Sequence, residues 1–214
     1  YGIDVETTAT THVGALRFTY PDNPKSRIQI DLARRVGGSS DYQRVEVVGD
    51  NAIQGYIQCT PDGGGWGNGS GNSRYTLYFY ATFSKPLADY GFWTADIPDS
   101  QPRRNNDVVT DSYQALIANA RVVRGCRSME GKSIGFFCEF ATERGEQVEM
   151  KVGISYVDTD GARRNYMAEA EGKNFAQLKA EAHEQWNREL SRITVEGGTE
   201  EEKVVFYTCM YHTM

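Results

Sequence analysis

Residues 148–157 read VEMKVGISYV, and their apolar side chains recur at every second position. Alternate residues of a β-strand lie on the same face, so this pattern predicts a half-buried strand. The predicted buried face comprises Val148, Met150, Val152, Ile154 and Tyr156. A strand pattern over Ser133–Phe140 and a turn at Arg144-Gly145 come before it. The two segments are therefore predicted to pair as a hairpin.

Similar strand patterns run through the earlier part of the chain. Leu16–Tyr20 alternates between apolar and polar residues, and Tyr75–Phe83 is dense in aromatic and β-branched side chains. Val45–Val48 and Ile53–Ile57 flank Gly49-Asp50-Asn51, which is typical of a hairpin. Many such strands, joined by short polar turns, predict a mainly β protein built as an antiparallel, supersandwich-like β-sandwich.

The composition argues against several classes of function. The chain has 214 residues, of which 39% are hydrophobic and 12% aromatic, enough to bury a substantial core. Its net charge of −6 argues against nucleic acid as a main partner, because phosphate binding needs a face rich in lysine and arginine. No apolar run approaches the roughly 18 residues that a membrane helix needs, so no membrane span is predicted. The sequence opens on Tyr1 without a visible targeting signal.

Two helices are predicted after the strands. Asn174 and Gln177 form a capping-box pattern, and apolar residues then follow at spacings of three and four. This apolar stripe comprises Phe175, Leu178, Ala182, Trp186 and Leu190. Thr199–Glu202 forms a second capping box, with acidic residues in the first turn, where the helix dipole favours negative charge.

The second predicted helix is apolar on nearly every side from Val204 to Tyr211. Such a helix is typically surrounded by other elements, and no residue follows Met214 in the sequence to surround it. We therefore expect the chain to be truncated inside a second, helical domain. The predicted divisions are a β-sandwich domain over residues 1–160, a linker with a helix over 161–198, and the first helix of the truncated domain over 199–214.

The four cysteines show no Cys-x-x-Cys spacing, which argues against a zinc site. Cys126 and Cys138 lie almost symmetrically about a plausible turn at Glu130–Ser133. If the flanking segments paired as a hairpin, the two sulfur atoms would be placed to face each other and form a disulfide. Two free, buried thiols on neighbouring strands are the alternative.

A glycine-rich loop, GGGWGNGSG at residues 63–71, carries Trp66. It lacks the Gly-Lys-Ser/Thr ending of a phosphate-binding loop and comes before a strand where a dinucleotide fingerprint would come before a helix. Because an aromatic plane suits the apolar face of a pyranose, Trp66 is a candidate carbohydrate-binding residue. Alternatively, its ring packs on its own sandwich. Asp158–Gly161 resembles the start of a calcium loop without the distal glutamate, and we expect a strand-exit turn there.

No arrangement typical of catalysis is visible in the sequence. His12 has no Cys, Asp or second His near it, and His183 lies beside the apolar stripe of a charged helix. His212 lies where a second domain would begin, so it is kept as a candidate carbohydrate-binding residue. A packed, hydrogen-bonded histidine is the alternative there. No Ser/His/Asp set, Cys/His set or carboxylate pair emerges, and no catalytic or metal-ligating residue is assigned.

Several blocks of sequence, in order along almost the whole chain, match the pattern of one enzyme family. They are GIDVETTAT at 2–10 with LRFTYP at 16–21, YFYATFSKP at 78–86, KVGISYV at 151–157 with ARRN at 162–165, WNRELSRI at 186–193 with VEGGTE at 195–200, and FYT at 206–208 with Tyr211-His212. Their order and spacing make the match specific. The chain resembles the N-terminal β-sandwich and linker of glycoside hydrolase family 92, the calcium-dependent exo-α-mannosidases.

The resemblance implies a two-domain exo-glycosidase, with an N-terminal β-sandwich, helical linkers and a catalytic (α/α)₆ barrel. Such enzymes look like inverting hydrolases, in which a glutamic acid protonates the glycosidic oxygen and an aspartate activates water. The resemblance also implies that Ca²⁺ helps to bind and distort the terminal mannose. It places the acid, the base and most calcium ligands in the barrel, so none is carried onto this sequence.

We therefore expect a non-catalytic N-terminal domain of an inverting α-mannosidase-like enzyme that removes terminal mannose from glycans. By itself the segment is expected to be inactive, to bind no cofactor, and to pack on the helical catalytic domain. A secreted, periplasmic or cell-surface location is expected. The alternative is a free-standing carbohydrate-binding or adhesion β-sandwich, which Trp66 favours and the apolar final helix disfavours.

Overall fold

A computed structural model describes residues 1–35, 38–59, 74–96 and 118–214. The described residues form twelve strands, which are β1 (Asp4–Ala9), β2 (Val13–Tyr20), β3 (Asn23–Asp31), β4 (Arg34–Arg35), β5 (Gly38–Val48), β6 (Ala52–Cys59), β7 (Tyr75–Phe83), β8 (Asp89–Thr94), β9 (Arg121–Val123), β10 (Ser128–Gly131), β11 (Ile134–Thr142) and β12 (Glu146–Ser155). Three helices follow them, which are α1 (Thr159–Glu169), α2 (Phe175–Leu190) and α3 (Glu200–Thr213).

The strands form two antiparallel sheets that share one core. In the larger sheet the strand order is β1-β2-β12-β7-β6-β5-β10, and the short β4 pairs with β5. In the smaller sheet the order is β3-β11-β8-β9. Every pairing between the described strands is antiparallel. The predicted antiparallel β-sandwich is therefore confirmed.

Side chains from the inner faces of both sheets fill the main core. Ile53 and Phe83 from the larger sheet are at most 2% exposed, and Phe92 and Phe136 from the smaller sheet are fully buried. The ring centres of Phe92 and Phe136 lie 5.7 Å apart in an edge-to-face arrangement, which aromatic pairs prefer. Burial of these large side chains is the main force that holds the two sheets together.

One buried polar side chain links the two sheets across the core. Gln43 on β5 is fully buried. Its amide nitrogen donates to the carbonyl and hydroxyl oxygens of Ser40 at 3.0 and 2.8 Å. Its amide oxygen accepts a hydrogen bond of 3.2 Å from the backbone N–H of Ile134 on β11. Because an unpaired buried amide is costly, these bonds favour one alignment of β5 against β11.

Of the two hairpins predicted from sequence, one is confirmed and one is wrong. β5 and β6 pair up to Val48 and Ala52 on either side of the predicted turn. By contrast, β11 pairs with β3 and β8, whereas β12 pairs with β2 and β7. The turn at Arg144-Gly145 therefore carries the chain from the smaller sheet to the larger one. The pattern of apolar residues does not show which sheet each strand joins, because both strands bury one face in the same core.

The hairpin assumed for Cys126 and Cys138 is wrong for the same reason. β10 pairs with β5 in the larger sheet, whereas β11 lies in the smaller sheet. Both cysteines are free thiols that pack against the main core, and Cys138 is the more deeply buried of the two. Burial raises the pKa of the Cys138 thiol to about 12, so this group stays protonated at neutral pH. The structure therefore contains two thiols at these positions and no disulfide between them.

Three helices follow the strands, where two were predicted. α1 begins directly after Asp158, whose side chain accepts a hydrogen bond from the backbone N–H of Gly161. The expected strand-exit turn is therefore the N-terminus of a helix. The buried face of α1 uses the small residues Gly161 and Ala162, so no apolar stripe is visible in its sequence. The capping boxes predicted for α2 and α3 are confirmed, and their members are Asn174 with Gln177 and Thr199 with Glu202.

Candidate functional site

α1 and α2 lie on the outer face of the larger sheet, where they form a second, smaller core. Its buried members are Val13, Ala15, Ala170, Phe175 and Leu178, each at most 2% exposed. Gly153 on β12 allows α1 to approach closely, because a Cβ atom there would lie 2.5 Å from the carbonyl oxygen of Ala162. The two helices are therefore seated on the sandwich by close packing.

A carboxylate at the C-terminal end of α1 ties this helix to the turn between β1 and β2. Glu169 accepts hydrogen bonds from the hydroxyl of Thr10 and, at 2.9 Å, from the backbone N–H of His12. Its other oxygen lies 2.6 Å from Nδ1 of His12. Burial raises the pKa of Glu169, but these hydrogen bonds outweigh it and hold the pKa below its usual range. The sequence analysis missed this pair because 157 positions separate its members.

α3 packs on the C-terminal half of α2 and exposes most of its apolar surface. The ring centres of Trp186 and Tyr211 lie 4.5 Å apart. The hydroxyl of Tyr207 donates to the carbonyl oxygen of Ile193 at 3.2 Å. Val204 is 64% exposed, and none of the residues of α3 is buried against the described part of the chain. This arrangement agrees with the apolar surface that the sequence of this helix indicated.

A groove of about 460 Å³ runs between α2 and α3. Its lining residues, which we call the α2–α3 groove, are Leu190, Glu200, Lys203, Val204, Tyr207, Thr208 and Tyr211. Its lining is mainly apolar and aromatic, with two charged residues, Glu200 and Lys203. An exposed, largely apolar surface of this kind is typical of a contact surface between protein parts.

The two residues predicted to contact carbohydrate are not brought together by the described structure. Trp66 lies outside the described residues. His212 is exposed on α3, with its ring centre 5.4 Å from that of Tyr211. Their assignment as carbohydrate-binding residues stays a prediction.

The outer face of the smaller sheet carries a buried carboxylate among three cations. The side chain of Glu139 is 2% exposed, and it accepts hydrogen bonds from Arg27 at 2.9 Å and Arg124 at 2.7 Å, with Lys25 at 3.4 Å. Burial raises the pKa of Glu139, but the hydrogen bonds from Arg27 and Arg124 outweigh it and lower the pKa to about 2. Both guanidinium groups also lie 4.8 Å from the centre of the Phe137 ring. The ionised side chain of Glu139 on β11 therefore links this strand to Arg27 on β3 and to Arg124, which follows β9.

Within the described ranges, no three His, Cys, Asp or Glu side chains converge closely enough to hold a metal ion. The described residues by themselves therefore do not fit the calcium site that the family resemblance implies. In the same part of the chain, no helix is long and apolar enough to cross a membrane.

The fold and its contact surface define a β-sandwich domain with a helical extension. Two family models match this chain, each over one of the two parts. The glycosyl hydrolase family 92 N-terminal domain matches residues 1–155, and the glycosyl hydrolase family 92 catalytic domain matches residues 161–214. The chain therefore belongs to glycosyl hydrolase family 92.

Solved structures of the same family share this fold. The family GH92 α-mannosidase BT3965 from Bacteroides thetaiotaomicron is 32% identical over 99% of this chain, with a TM-score of 0.75. Its complex with mannoimidazole gives the same identity and TM-score. The family GH92 inverting mannosidase BT2199 from Bacteroides thetaiotaomicron VPI-5482 is 19% identical over 99% of this chain, with a TM-score of 0.73, which shows a common fold.

This chain spans about a quarter of the length of those solved structures. It covers 25% of the BT3965 chain and 24% of the BT2199 chain. A comparison with curated proteins gave no match.

Proposed function

We propose that this chain forms the N-terminal domain and first helices of an inverting α-mannosidase-like glycoside hydrolase that removes terminal mannose from glycans. The observation that carries the proposal is the ordered match to both family domains, first over residues 1–155 and then over 161–214. The 32% identity with an α-mannosidase over 99% of this chain supports mannose as the sugar.

In this proposal the sandwich is not catalytic. An inverting glycosidase needs a carboxylic acid that stays protonated near neutral pH, together with a carboxylate that activates water. Glu139 and Glu169 each accept several hydrogen bonds, and the pKa of each is lowered. Both are therefore ionised and engaged in holding strands or helices, which is the opposite of what a general acid requires. The acid and base belong to the remainder of the catalytic domain.

The calcium ion that the family resemblance implies belongs to that same remainder, where it would help to bind and distort the terminal mannose. The described residues take no part in holding it in this proposal.

The α2–α3 groove is the surface that packs on the remainder of the helical catalytic domain. The catalytic-domain match includes both helices of the groove. The large exposed fractions of Val204 and Val205, 64% and 61%, are costly in water and are removed if another helix covers them. The sandwich thus supports the catalytic domain through α2, which is seated on the larger sheet and on which α3 packs.

A secreted, periplasmic or cell-surface location fits this function, because mannose-containing glycans of other cells are met outside the cytoplasm. Fractionation of the source cells, followed by detection with an antibody against this chain, tests the location. Recovery of the protein in the cytoplasmic fraction alone would contradict it.

The function is tested by comparing the protein encoded by the complete reading frame with residues 1–214 alone. Mannose released from aryl α-mannosides and from α-linked mannan is measured for both. We expect the complete protein to release mannose and residues 1–214 to release none. Turnover by residues 1–214 would show that the active site has been misplaced, and no turnover by the complete protein would contradict the substrate.

The alternative function is a free-standing carbohydrate-binding or adhesion module. Its support is Trp66, which lies outside the described residues. It predicts that residues 1–214 bind mannan in calorimetry and that Trp66→Ala abolishes the binding. Unchanged affinity of that variant would exclude the Trp66 loop as a binding site.

A further inference from the structure

A flat aromatic ring lies on the outer face of the smaller sheet. Trp93 on β8 is paired with Gly135 on β11. A Cβ atom on Gly135 would lie within 2.4 Å of three consecutive atoms of the indole, Cε2, Cζ2 and Cη2. An edge-on ring would place the outer two atoms clearly farther away than the middle one. One face of the Trp93 indole therefore rests on the glycine backbone, and its orientation is fixed by the sheet.

The opposite face of this indole points away from the sandwich. Trp93 is partly exposed, whereas the preceding Phe92 is fully buried, because successive residues of a strand point to opposite faces. Within the described residues, no group accepts a hydrogen bond from the indole N–H, and no ring or cation stacks on the indole. With respect to the described residues, Trp93 thus presents an uncovered aromatic face and an indole N–H without an acceptor.

The neighbouring cross-strand pair contains an aromatic ring that other side chains cover. Phe137 on β11 lies over Gly91 on β8, where a Cβ atom would be 2.7 and 2.9 Å from two of its ring atoms. Arg27 and Arg124 lie over that ring and leave Phe137 only 3% exposed. Phe137 thus packs on a glycine and is itself covered by other side chains. Trp93 also packs on a glycine but remains partly exposed, so its exposure does not follow from the packing on glycine.

Polar side chains lie on the same outer face as Trp93, on the strand β3 beyond β11. Gln29 on β3 lies directly opposite Phe137 in the register, and its side chain is exposed. In the described part of the chain no group makes a hydrogen bond with its amide. Arg27 lies two positions away on the same face and is 46% exposed. The same outer face thus carries an exposed amide and a partly exposed guanidinium group in addition to the indole of Trp93.

We propose that this outer face, with Trp93 at its centre and Gln29 one register row away on β3, binds a pyranose of a neutral glycan. The apolar C–H face of a pyranose stacks on an aromatic ring, while its hydroxyl groups need donors and acceptors at the ring's edge. A neutral sugar fits because Glu139 and Asp89 already pair with the arginines of this face, and because Asp31, opposite Gly135 in the register, adds a carboxyl group that disfavours an anionic sugar. This binding surface goes beyond the proposed function, because it is formed by residues of the sandwich, to which the proposed function assigns no sugar contact in the described part of the chain.

Affinity electrophoresis of the complete protein tests this surface, in native gels that contain soluble α-mannan. The choice of mannan as probe rests on the proposed function. We expect Trp93→Ala to weaken retardation about tenfold and Gln29→Ala about threefold, since a lost neutral hydrogen bond changes binding by roughly that factor. Gln185→Ala removes an exposed amide from α2 and is the matched control, with retardation unchanged.

Two features keep the test informative whatever Trp93→Ala does to folding. Gln29→Ala removes an exposed amide that has no protein partner in the described residues, so its fold is preserved, and Trp93→Phe keeps a ring over Gly135. Retardation of Gln29→Ala equal to that of the wild type would overturn the proposal, as would a wild type that mannan does not retard. Hydrolysis of an aryl α-mannoside is measured separately, so a failure of the proposed activity is distinguished from a failure of this surface.

Discussion

Replacing Glu139 by glutamine removes the buried carboxylate that Arg27 and Arg124 bind on the outer face of the smaller sheet. The substitution keeps the size of the side chain and removes its charge, so both arginines lose a charge-assisted hydrogen-bond partner. The pKa of Glu139 is about 2 in the folded chain, against an ordinary value of 4.5. At about 1.4 kcal/mol per pKa unit, this difference corresponds to roughly 3 kcal/mol of folding stability at neutral pH.

The sign of the pH dependence follows from the direction of the change in pKa. A carboxyl group with a lower pKa in the folded than in the unfolded state stabilises the fold above its unfolded pKa. For Glu139 this contribution is complete above pH 4.5 and is lost as the pH falls towards about 2. Glutamine does not titrate in this range. The stability difference between wild type and Glu139→Gln is therefore expected to be largest at neutral pH and to close in acid.

Urea denaturation of residues 1–214, followed by tryptophan fluorescence at pH values from neutral down to about 3, measures this difference. Glu130→Gln is the matched control, because that side chain is 54% exposed and lies 3.6 Å from Arg44. An exposed pair of this kind contributes less than about 1 kcal/mol. A difference for Glu139→Gln that stays constant with pH, or that is no larger than the control, would refute the reasoning.

Substitutions at three further positions test how the helices are seated on the sandwich. Gly153→Ala is expected to lower the free energy of unfolding by about 2 kcal/mol, because its Cβ would press on the carbonyl oxygen of Ala162; equal stability in urea would contradict this. Phe175→Ala removes a fully buried ring and is expected to cost about 3–5 kcal/mol in the same assay, with a smaller loss for Phe175→Leu. Asn174→Ala removes the cap that accepts from the Gln177 N–H, and should cost about 1 kcal/mol, seen as a lower Tm by circular dichroism.

The positions of the strands are predictable from the sequence because alternation is a local signal. Pairing between strands is less predictable, since it depends on which sheet each strand joins. β5 and β6 pair across the predicted turn at Gly49-Asp50-Asn51, whereas β11 and β12 also flank a predicted turn and yet lie in different sheets. Both arrangements bury one face of each strand in the same core, so the pattern of apolar residues is identical.

The helices also differ in how far the sequence predicts them. α2 and α3 begin with capping boxes, which are short motifs that a sequence displays directly. α1 has no such box, and its buried residues Gly161 and Ala162 are too small to produce an apolar stripe. Its close packing becomes visible only when Gly153 on β12 is placed beneath it.

The contacts at the candidate functional sites are the hardest to predict, because they join residues that are distant in the sequence. His12 meets Glu169 across 157 positions, and Trp93 rests on Gly135 in another strand. Neither pair forms a motif along the chain. Trp66, by contrast, is conspicuous in its glycine-rich loop, yet its role stays a prediction because it lies outside the described residues.

Proton NMR of the first mannose released by the complete protein from an aryl α-mannoside tests the central claim most directly. The account predicts that the β-anomer appears first, as inversion requires, and that residues 1–214 alone release no mannose. Initial release of the α-anomer, or hydrolysis by residues 1–214, would contradict it.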